Sequence, residues 1–224
     1  MPPRLLFPDA ATAADVLVFA GRAAALGDGA VRLRAAGGTL AVSAAPLAPQ
    51  TLLDATPTVL GMRFAPIDPE LQCDLTVDAA ALAASSDDPA ALALPDSAVA
   101  APWAGISPPR SGWTAVSTVS AALLAARAQW GIAAVAESVP PSPGEDVVRL
   151  IRADVWGRAD DELGGVSLGV AFAAFALGFI GGEEDAAVRR SGPWTRVTLA
   201  RGHVLSRART HSGLTAVRTT GSAR

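Results

Sequence analysis

The chain has 224 residues, a formal net charge of −3 at pH 7 and a hydrophobic share of 50%, which suits one large domain or two small ones. All 18 basic residues are arginine, which excludes the lysine-dependent phosphate loop of nucleotide hydrolases. The single cysteine, Cys73, excludes an intrachain disulfide, and we interpret it as a structural thiol in a reducing cytoplasm. Asp9 and Asp15 interrupt the apolar N-terminal stretch, so no signal peptide is expected.

Residues 1–84 have the pattern of a small α/β subdomain. A short strand is predicted at 4–7, and a helix from 8–9 to about 26, because Val16 and Phe19 recur at helical spacing. Gly37 and Gly38 separate two stretches that alternate between apolar and polar residues, which is typical of a hairpin. Further strands are predicted at 58–67 and 73–77. The elements together predict one helix on a small, mostly antiparallel sheet.

Residues 85–113 are rich in proline and carry two tryptophans. Trp103 and Trp113 bracket Pro108 and Pro109, a composition that favours extended, polyproline-like backbone. Because each indole ring needs a surface to cover, we expect this linker to wrap on the body of the protein.

Residues 114–208 predict a helical subdomain with a C-terminal β-meander, so the whole chain is expected to be α+β. Helices are predicted at 114–139, 145–156 and 167–180, and strands at 186–190, 195–200 and 203–208. Gly165, Gly169 and Ala173 are spaced four apart, so a neighbouring helix could pack closely there. Residues 209–224 contain mostly small, polar and arginine residues and are expected to be a disordered basic tail.

The third predicted helix lies in an uncharged stretch of 20 residues, 163–182, which barely reaches the length of a membrane span. Acidic residues flank both ends, and glycine and alanine make up half of the stretch. We therefore interpret it as a helix buried on all sides in a soluble core, with no membrane partner.

The blocks PWAGISPPRSGW and VWGRADDELGGVSLGVAFAAFALGFI resemble parts of an uncharacterised protein family of high-GC actinobacteria. The resemblance covers about the second half of the chain. It implies a cytoplasmic bacterial setting, and it brings no activity and no functional residue with it.

One motif could indicate catalysis. GVSLG fits the G-x-S-x-G nucleophile elbow at Ser167, and Asp185 and His203 follow in the order found in α/β-hydrolases. A buried, apolar strand must precede such an elbow. The residues before Gly165 are instead the acidic stretch ADDELG, which does not have the pattern of a buried strand. An N-cap and close helix packing explain Ser167 and its glycines equally well. A serine hydrolase thus stays an alternative, and no metal or cofactor is expected.

The chain ends in a basic block. From residue 188 onward it has eight arginines, both histidines and no acidic residue. A winged-helix DNA-binding domain would place its third helix in the major groove, but here that helix is apolar. We expect instead that Arg189 and Arg190 pair with the protein's own carboxylates, or that the block meets an anionic partner such as nucleic acid.

The sequence as a whole favours a non-catalytic protein that acts by protein–protein contact, as a homodimer or another homo-oligomer, or with an unknown protein partner. Nucleic-acid or anionic-partner binding through the arginine-rich C-terminus and a serine hydrolase are the alternatives. The predicted interaction residues are Trp103, Trp113, Gly165, Gly169, Arg189, Arg190, Trp194 and Arg196.

Overall fold

A computed structural model describes residues 4–51 and 54–207. It contains four α-helices and thirteen strands in this part of the chain. In order, they are β1 (Arg4–Leu6), α1 (Ala10–Ala23), β2 (Ala30–Ala36), β3 (Thr39–Leu47), β4 (Thr58–Pro66), β5 (Cys73–Asp78), β6 (Ala83–Ala84), β7 (Ala91–Ala93), β8 (Thr114–Ser120), α2 (Ala121–Ser138), α3 (Glu145–Gly157), β9 (Ala159–Asp160), β10 (Val166–Ser167), α4 (Leu168–Ala176), β11 (Asp185–Ser191), β12 (Trp194–Leu199) and β13 (Gly202–Arg207). The mixed α+β composition is confirmed. The predicted tail, 209–224, lies outside the described residues.

One antiparallel sheet runs through both halves of the chain. Its eight strands have the order β5-β2-β3-β4-β13-β12-β11-β8. The two halves meet where β4 pairs with β13, for example Leu60 with Leu205. The expectation of a small N-terminal sheet and a separate meander is therefore wrong, because β4 has a hydrogen-bonding partner on each of its edges.

The N-terminal elements follow from local signals. Asp9 caps α1, since its Oδ1 accepts the N–H of Thr12 at 2.7 Å. The helix buries Val16 and Phe19 against the sheet, and the Phe19 ring stacks on Phe179 with 5.9 Å between ring centroids. Glycines Gly37 and Gly38 have φ of 56° and 75°, as the tight turn between β2 and β3 requires.

Residues 114–120 form a strand and not the beginning of a helix. The stretch TAVSTVS is rich in β-branched residues, which favour an extended backbone. Ser120 then caps α2 by accepting the N–H of Leu123 at 3.2 Å. The helix ends at Ser138, before Pro140.

The helices α2, α3 and α4 pack around Trp156. This side chain is buried and stacks on Phe172 with 4.5 Å between ring centroids. It lies against Gly131 of α2, where an added Cβ would stand 2.3 Å from its ring. An added Cβ at Gly169 would stand 2.9 Å from the carbonyl oxygen of Trp156 and 2.8 Å from Leu47 Cδ1. Both glycines therefore permit close helix packing.

Helix α4 is shorter than expected, with nine residues. It ends where Gly178 takes a φ of 70°. Its residues from Leu168 to Ala174 are buried, as expected for this apolar stretch. Among the described residues, no helix has the length and hydropathy needed to cross a membrane.

The sheet separates two different environments. On one face, Val188, Val197 and Val204 join the main core beneath α1 and α4. Alternation along each strand sends the next residues to the opposite face. There, Trp194 and Leu205 form a second, smaller cluster with Trp103 from the proline-rich segment 102–113.

Candidate anion-binding site

The segment 102–113 lies on the face of the sheet that the helices leave open. Trp103 is its main anchor, with 4% of its surface exposed. Its indole Nε1 donates to Asp28 Oδ2 at 2.8 Å, so the buried ring also has its polar atom satisfied. The ring packs in a cluster with Leu60, Trp194 and Leu205.

Arg32 is a second anchor for this segment. Its Nε and Nη2 donate to the two carboxylate oxygens of Asp74 at 2.7 and 2.8 Å, and its Nη1 donates to the carbonyl of Ala104. The hydrogen bond with Asp74 raises the pKa of Arg32, and the same bond lowers the pKa of Asp74. The charge of Arg32 is therefore already compensated inside the protein.

Between this segment and the sheet is a cavity of about 380 Å³. Its walls are largely apolar and aromatic, and they include Met62, Phe64, Trp103, Ile106, Pro108, Pro109, Trp113 and Leu205. The charged side chains on its lining are all cationic, namely Arg32, Arg34, Arg110 and Arg196. No aspartate or glutamate lines it within residues 4–51 and 54–207. An apolar pocket with a few charges of one sign fits an anionic ligand that also has a nonpolar part.

Arg196 is the cation with the most unusual surroundings. Its guanidinium carbon lies 4.5 Å from the centre of the Trp113 ring, which is cation–π geometry. Its Nε is buried and has no hydrogen-bond partner in the described part of the chain. Burial lowers the pKa of Arg196, and the nearby charge of Arg189 lowers it further.

Arg189 lies directly opposite Arg196 in the pairing of β11 with β12. Residues opposite each other in an antiparallel pair point to the same face, so two like charges are neighbours there. The ion pairs of the described residues involve other arginines: Arg32, Arg34, Arg63, Arg127, Arg149 and Arg158. The expectation that Arg189 and Arg190 pair with the protein's own carboxylates is therefore wrong for the described part.

His203 lines the same cavity from β13. Its Nδ1 lies 3.0 Å from Thr198 Oγ1, and its ring meets the edge of Phe64 with 5.5 Å between centroids. Burial lowers the pKa of His203, and the charges of Arg196 and Arg189 lower it further. The imidazole is therefore neutral at pH 7 and offers hydrogen-bonding nitrogens and not a further charge.

The structure does not bring the predicted catalytic residues together. Ser167 stands at the N-terminus of α4, and its Oγ is buried without a hydrogen-bond partner among the described residues. Asp185 is exposed at the start of β11. His203 is on the cavity lining. No hydrogen bond of the described residues joins any two of the three.

The predicted interaction residues fall into three groups. Trp103, Trp113 and Arg196 line the cavity, and Trp194 packs beneath it. Gly169 lies inside the protein, where a second chain cannot reach it. Gly165, Arg189 and Arg190 are exposed, and the nearest side-chain atom to an added Cβ at Gly165 is Arg190 Nη2, at 3.8 Å.

Sequence reasoning missed Arg32, Arg34, Arg110 and Phe64 as members of the site. A signal for two of them was present. Arg32 and Arg34 alternate with the apolar residues Val31 and Leu33 in β2, which places both arginines on one face of the strand. Nothing local indicated that the proline-rich segment crosses that face.

Comparison with known proteins gives two family matches and a set of similar structures. Residues 1–105 match the domain of unknown function DUF8010, and residues 108–211 match the domain of unknown function DUF8185. Each model covers a little under half of the chain, and they meet within the segment 102–113. No curated protein matches the chain.

The similar solved structures are bacterial DNA polymerase III β subunits. One, from Caulobacter crescentus, has 13% sequence identity and a TM-score of 0.48. A DnaN sliding clamp from Bartonella birtlesii, bound to griselimycin, has 12% identity and a TM-score of 0.48. A putative β subunit from Eubacterium rectale has 7% identity and a TM-score of 0.49. Between 92% and 95% of this chain is covered, and it spans only 65% to 66% of theirs. Each of these structures therefore resembles this chain in the course of its backbone over only part of its own length.

Proposed function

We propose that this protein is a non-catalytic binding protein that takes an anionic partner on the cavity face of its sheet. The observation that carries the proposal is the pair of Arg189 and Arg196, which are opposite each other on one face and have no carboxylate partner among the described residues. Like charges directly opposite in a sheet are destabilising. An anion bound between them would turn this repulsion into attraction.

The surroundings of Arg196 support the same proposal. A buried donor without a hydrogen-bond partner costs on the order of 1–3 kcal/mol, and Arg196 Nε is such a donor within the described part. An acceptor oxygen of a ligand would remove that cost. The cavity of about 380 Å³ beside it falls within the usual size range of ligand pockets.

The proposal modifies the role of the basic C-terminal block. Arg189 and Arg196 belong to strands of the sheet, so the sheet holds their backbone in fixed positions. The serine-hydrolase alternative gains no support, because no hydrogen bond joins Ser167, Asp185 and His203 among the described residues. We also propose that the protein acts in the bacterial cytoplasm.

The test is a binding assay with simple anions. The intrinsic tryptophan fluorescence, to which Trp113 beside Arg196 contributes, and the melting temperature would be followed while sulfate, phosphate or citrate is added at constant ionic strength. We expect saturable binding that Arg189→Ser weakens about tenfold, the loss of one charge-assisted hydrogen bond. Arg190→Ser removes the same charge from the next residue, on the opposite face, and should leave binding unchanged. Equal effects of the two variants, or no saturable binding, would contradict the proposal.

A second candidate function is self-association at β8. This strand is the last of the sheet, and β11 is its only strand partner among the described residues. It carries no charge, and Val116 is 47% exposed. Uncharged edge strands of this kind are templates for pairing with another chain.

The measurement for this candidate is the molar mass in solution by sedimentation. If two copies pair through β8, Val116→Lys should produce monomers. Pairing would then bury the lysine charge between the two edge strands, which opposes the association. Leu150→Lys, at an exposed apolar position of α3, is the control and should leave the mass unchanged. A monomeric wild-type protein would exclude this candidate.

A further inference from the structure

The residues across the sheet form a line from charged to apolar. Register pairing places Arg189, Arg196, Leu205 and Leu60 side by side on four neighbouring strands. Neighbouring strands are about 4.8 Å apart, so this line extends for about 14 Å. A ligand that follows it would have an anionic group at one end and a nonpolar body at the other.

The charged end fits a group that carries two negative charges. Opposite Cβ atoms in a sheet are about 5 Å apart, so both guanidinium groups can reach one anion. A phosphate monoester brings a charge of about −1.5 to −2 and three acceptor oxygens, whereas one carboxylate brings a single charge and two oxygens. Arg189 is exposed, so this end of the ligand would lie at the mouth of the cavity.

The inner end fits a flat ring with polar atoms at its edge. Leu60, Leu205 and Phe64 give it apolar walls, while His203 and Ser43 add hydrogen-bonding groups on the same lining. His203 is neutral, so it suits uncharged heteroatoms. A heterocycle matches this mixture better than a hydrocarbon ring, which could not hydrogen-bond to His203 Nε2 or to the Ser43 hydroxyl.

The segment 102–113 limits the size of the ligand. Its bonds from Trp103 to Asp28 and from Ala104 to Arg32 hold it above the sheet, and it forms one wall of the cavity. A cavity of about 380 Å³ is near the lower end of the range for small-molecule sites. A polymer would need a continuous open groove.

We infer that the site binds a small phosphorylated heterocycle of the nucleoside monophosphate class, with its phosphate between Arg189 and Arg196 and its base deeper in the cavity, against the exposed ring of Phe64. This inference rests on the proposed function, since it requires that the arginine pair takes an anion. It adds that the phosphate and the ring are recognised together.

The experiment measures by isothermal titration calorimetry how tightly the full chain binds a nucleoside monophosphate and each of its component parts. The probes are the four ribonucleoside 5′-monophosphates, their nucleosides, ribose 5-phosphate, inorganic phosphate and a single-stranded oligonucleotide. We expect at least one monophosphate to bind about tenfold or more tightly than its nucleoside and than ribose 5-phosphate. Arg189→Ser should weaken that monophosphate about tenfold and leave its nucleoside unchanged. Arg190→Ser should change neither.

The outcomes separate this inference from the proposed function. If inorganic phosphate binds as tightly as every monophosphate and depends on Arg189, the anion site stands and the ring recognition is wrong. If only the oligonucleotide binds, the inference of a small ligand is overturned. If no anion binds, both proposals fail. Phe64→Ser, at a ring that is 50% exposed at the cavity, should weaken the monophosphate but not inorganic phosphate, and equal weakening of both would overturn the placement of the base.

Discussion

Arg189 and Arg196 lie opposite each other on β11 and β12, and neither forms an ion pair with a described residue. We predict that Arg189→Ser raises the stability of the ligand-free protein by about 0.2–1 kcal/mol, because it removes a like-charge contact. Arg190→Ser, opposite Thr195, should change stability less. Urea unfolding without added anions checks this, and a lower stability for Arg189→Ser than for Arg190→Ser would contradict it.

The pKa of His203 is lowered from 6.5 by burial and then by Arg196 and Arg189. The folded state thus binds this proton less strongly than the unfolded state does. Its contribution to stability is present above the unfolded pKa of 6.5 and is lost as the pH falls through the lower folded pKa. We predict that His203→Gln reduces the loss of stability between about pH 7.5 and about pH 5.5. An unchanged difference between urea midpoints at these two pH values would contradict it.

Two serines at helix N-termini provide a matched test of capping. Ser120 Oγ accepts the N–H of Leu123, so Ser120→Ala should cost about 0.5–2 kcal/mol. Ser167 Oγ is buried and has no partner among the described residues. Its replacement by alanine should therefore be neutral or stabilising, since an unsatisfied buried hydroxyl is removed. Thermal unfolding compares the two, and a similar loss at both positions would show that Ser167 has a partner after all.

We expect the substitution of glycine by alanine to have opposite effects on stability at two helical positions. At Gly169 an added Cβ would meet the backbone oxygen of Trp156 at 2.9 Å, so Gly169→Ala should destabilise by about 1–3 kcal/mol through overpacking. Gly21 of α1 has nothing within 4 Å of an added Cβ. Gly21→Ala should stabilise by about 0.5–1 kcal/mol through helix propensity. Stabilisation by both variants would show that α4 has room to shift.

The bond between Trp103 and Asp28 should hold the segment 102–113 in place. Trp103→Phe keeps an aromatic ring but removes the N–H donor, which leaves Asp28 Oδ2 without that partner. We predict a loss of about 1–3 kcal/mol, as for a hydrogen bond to a charged group, and faster proteolysis near residue 106. Trp130→Phe, at an exposed position of α2, is the control. Unchanged proteolysis in Trp103→Phe would show that Arg32 alone anchors the segment.

Local signals in the sequence predicted several elements well. The start of α1 next to Asp9, the apolar face of α1 and the turn at Gly37 and Gly38 depend on neighbouring residues only, and the structure confirms them. The strand β8 was missed because its β-branched residues run without a break into the alanine-rich α2. Tertiary pairing with β11 decides the conformation there.

The site was less accessible to sequence reasoning because it depends on register. Gly192, with φ of 54°, lies in the two-residue turn between Ser191 and Trp194. That turn alone places Arg189 opposite Arg196, so the glycine and proline of the sequence could have indicated the pair. The cavity under the segment 102–113 also draws its lining from five neighbouring strands, from β2 to β12, and no local pattern encodes that path.

The pairing of β4 with β13 has a consequence for synthesis in the cell. His203 pairs with Met62, so on the ribosome one edge of β4 stays without its partner until more than a hundred further residues have been made. Contacts of such long sequence separation form slowly. A nascent chain that contains only the first family-matched region would expose that edge to other chains, as partly made β proteins do. The first half is thus expected to depend on the second for protection from aggregation, which would favour keeping the two regions in one polypeptide.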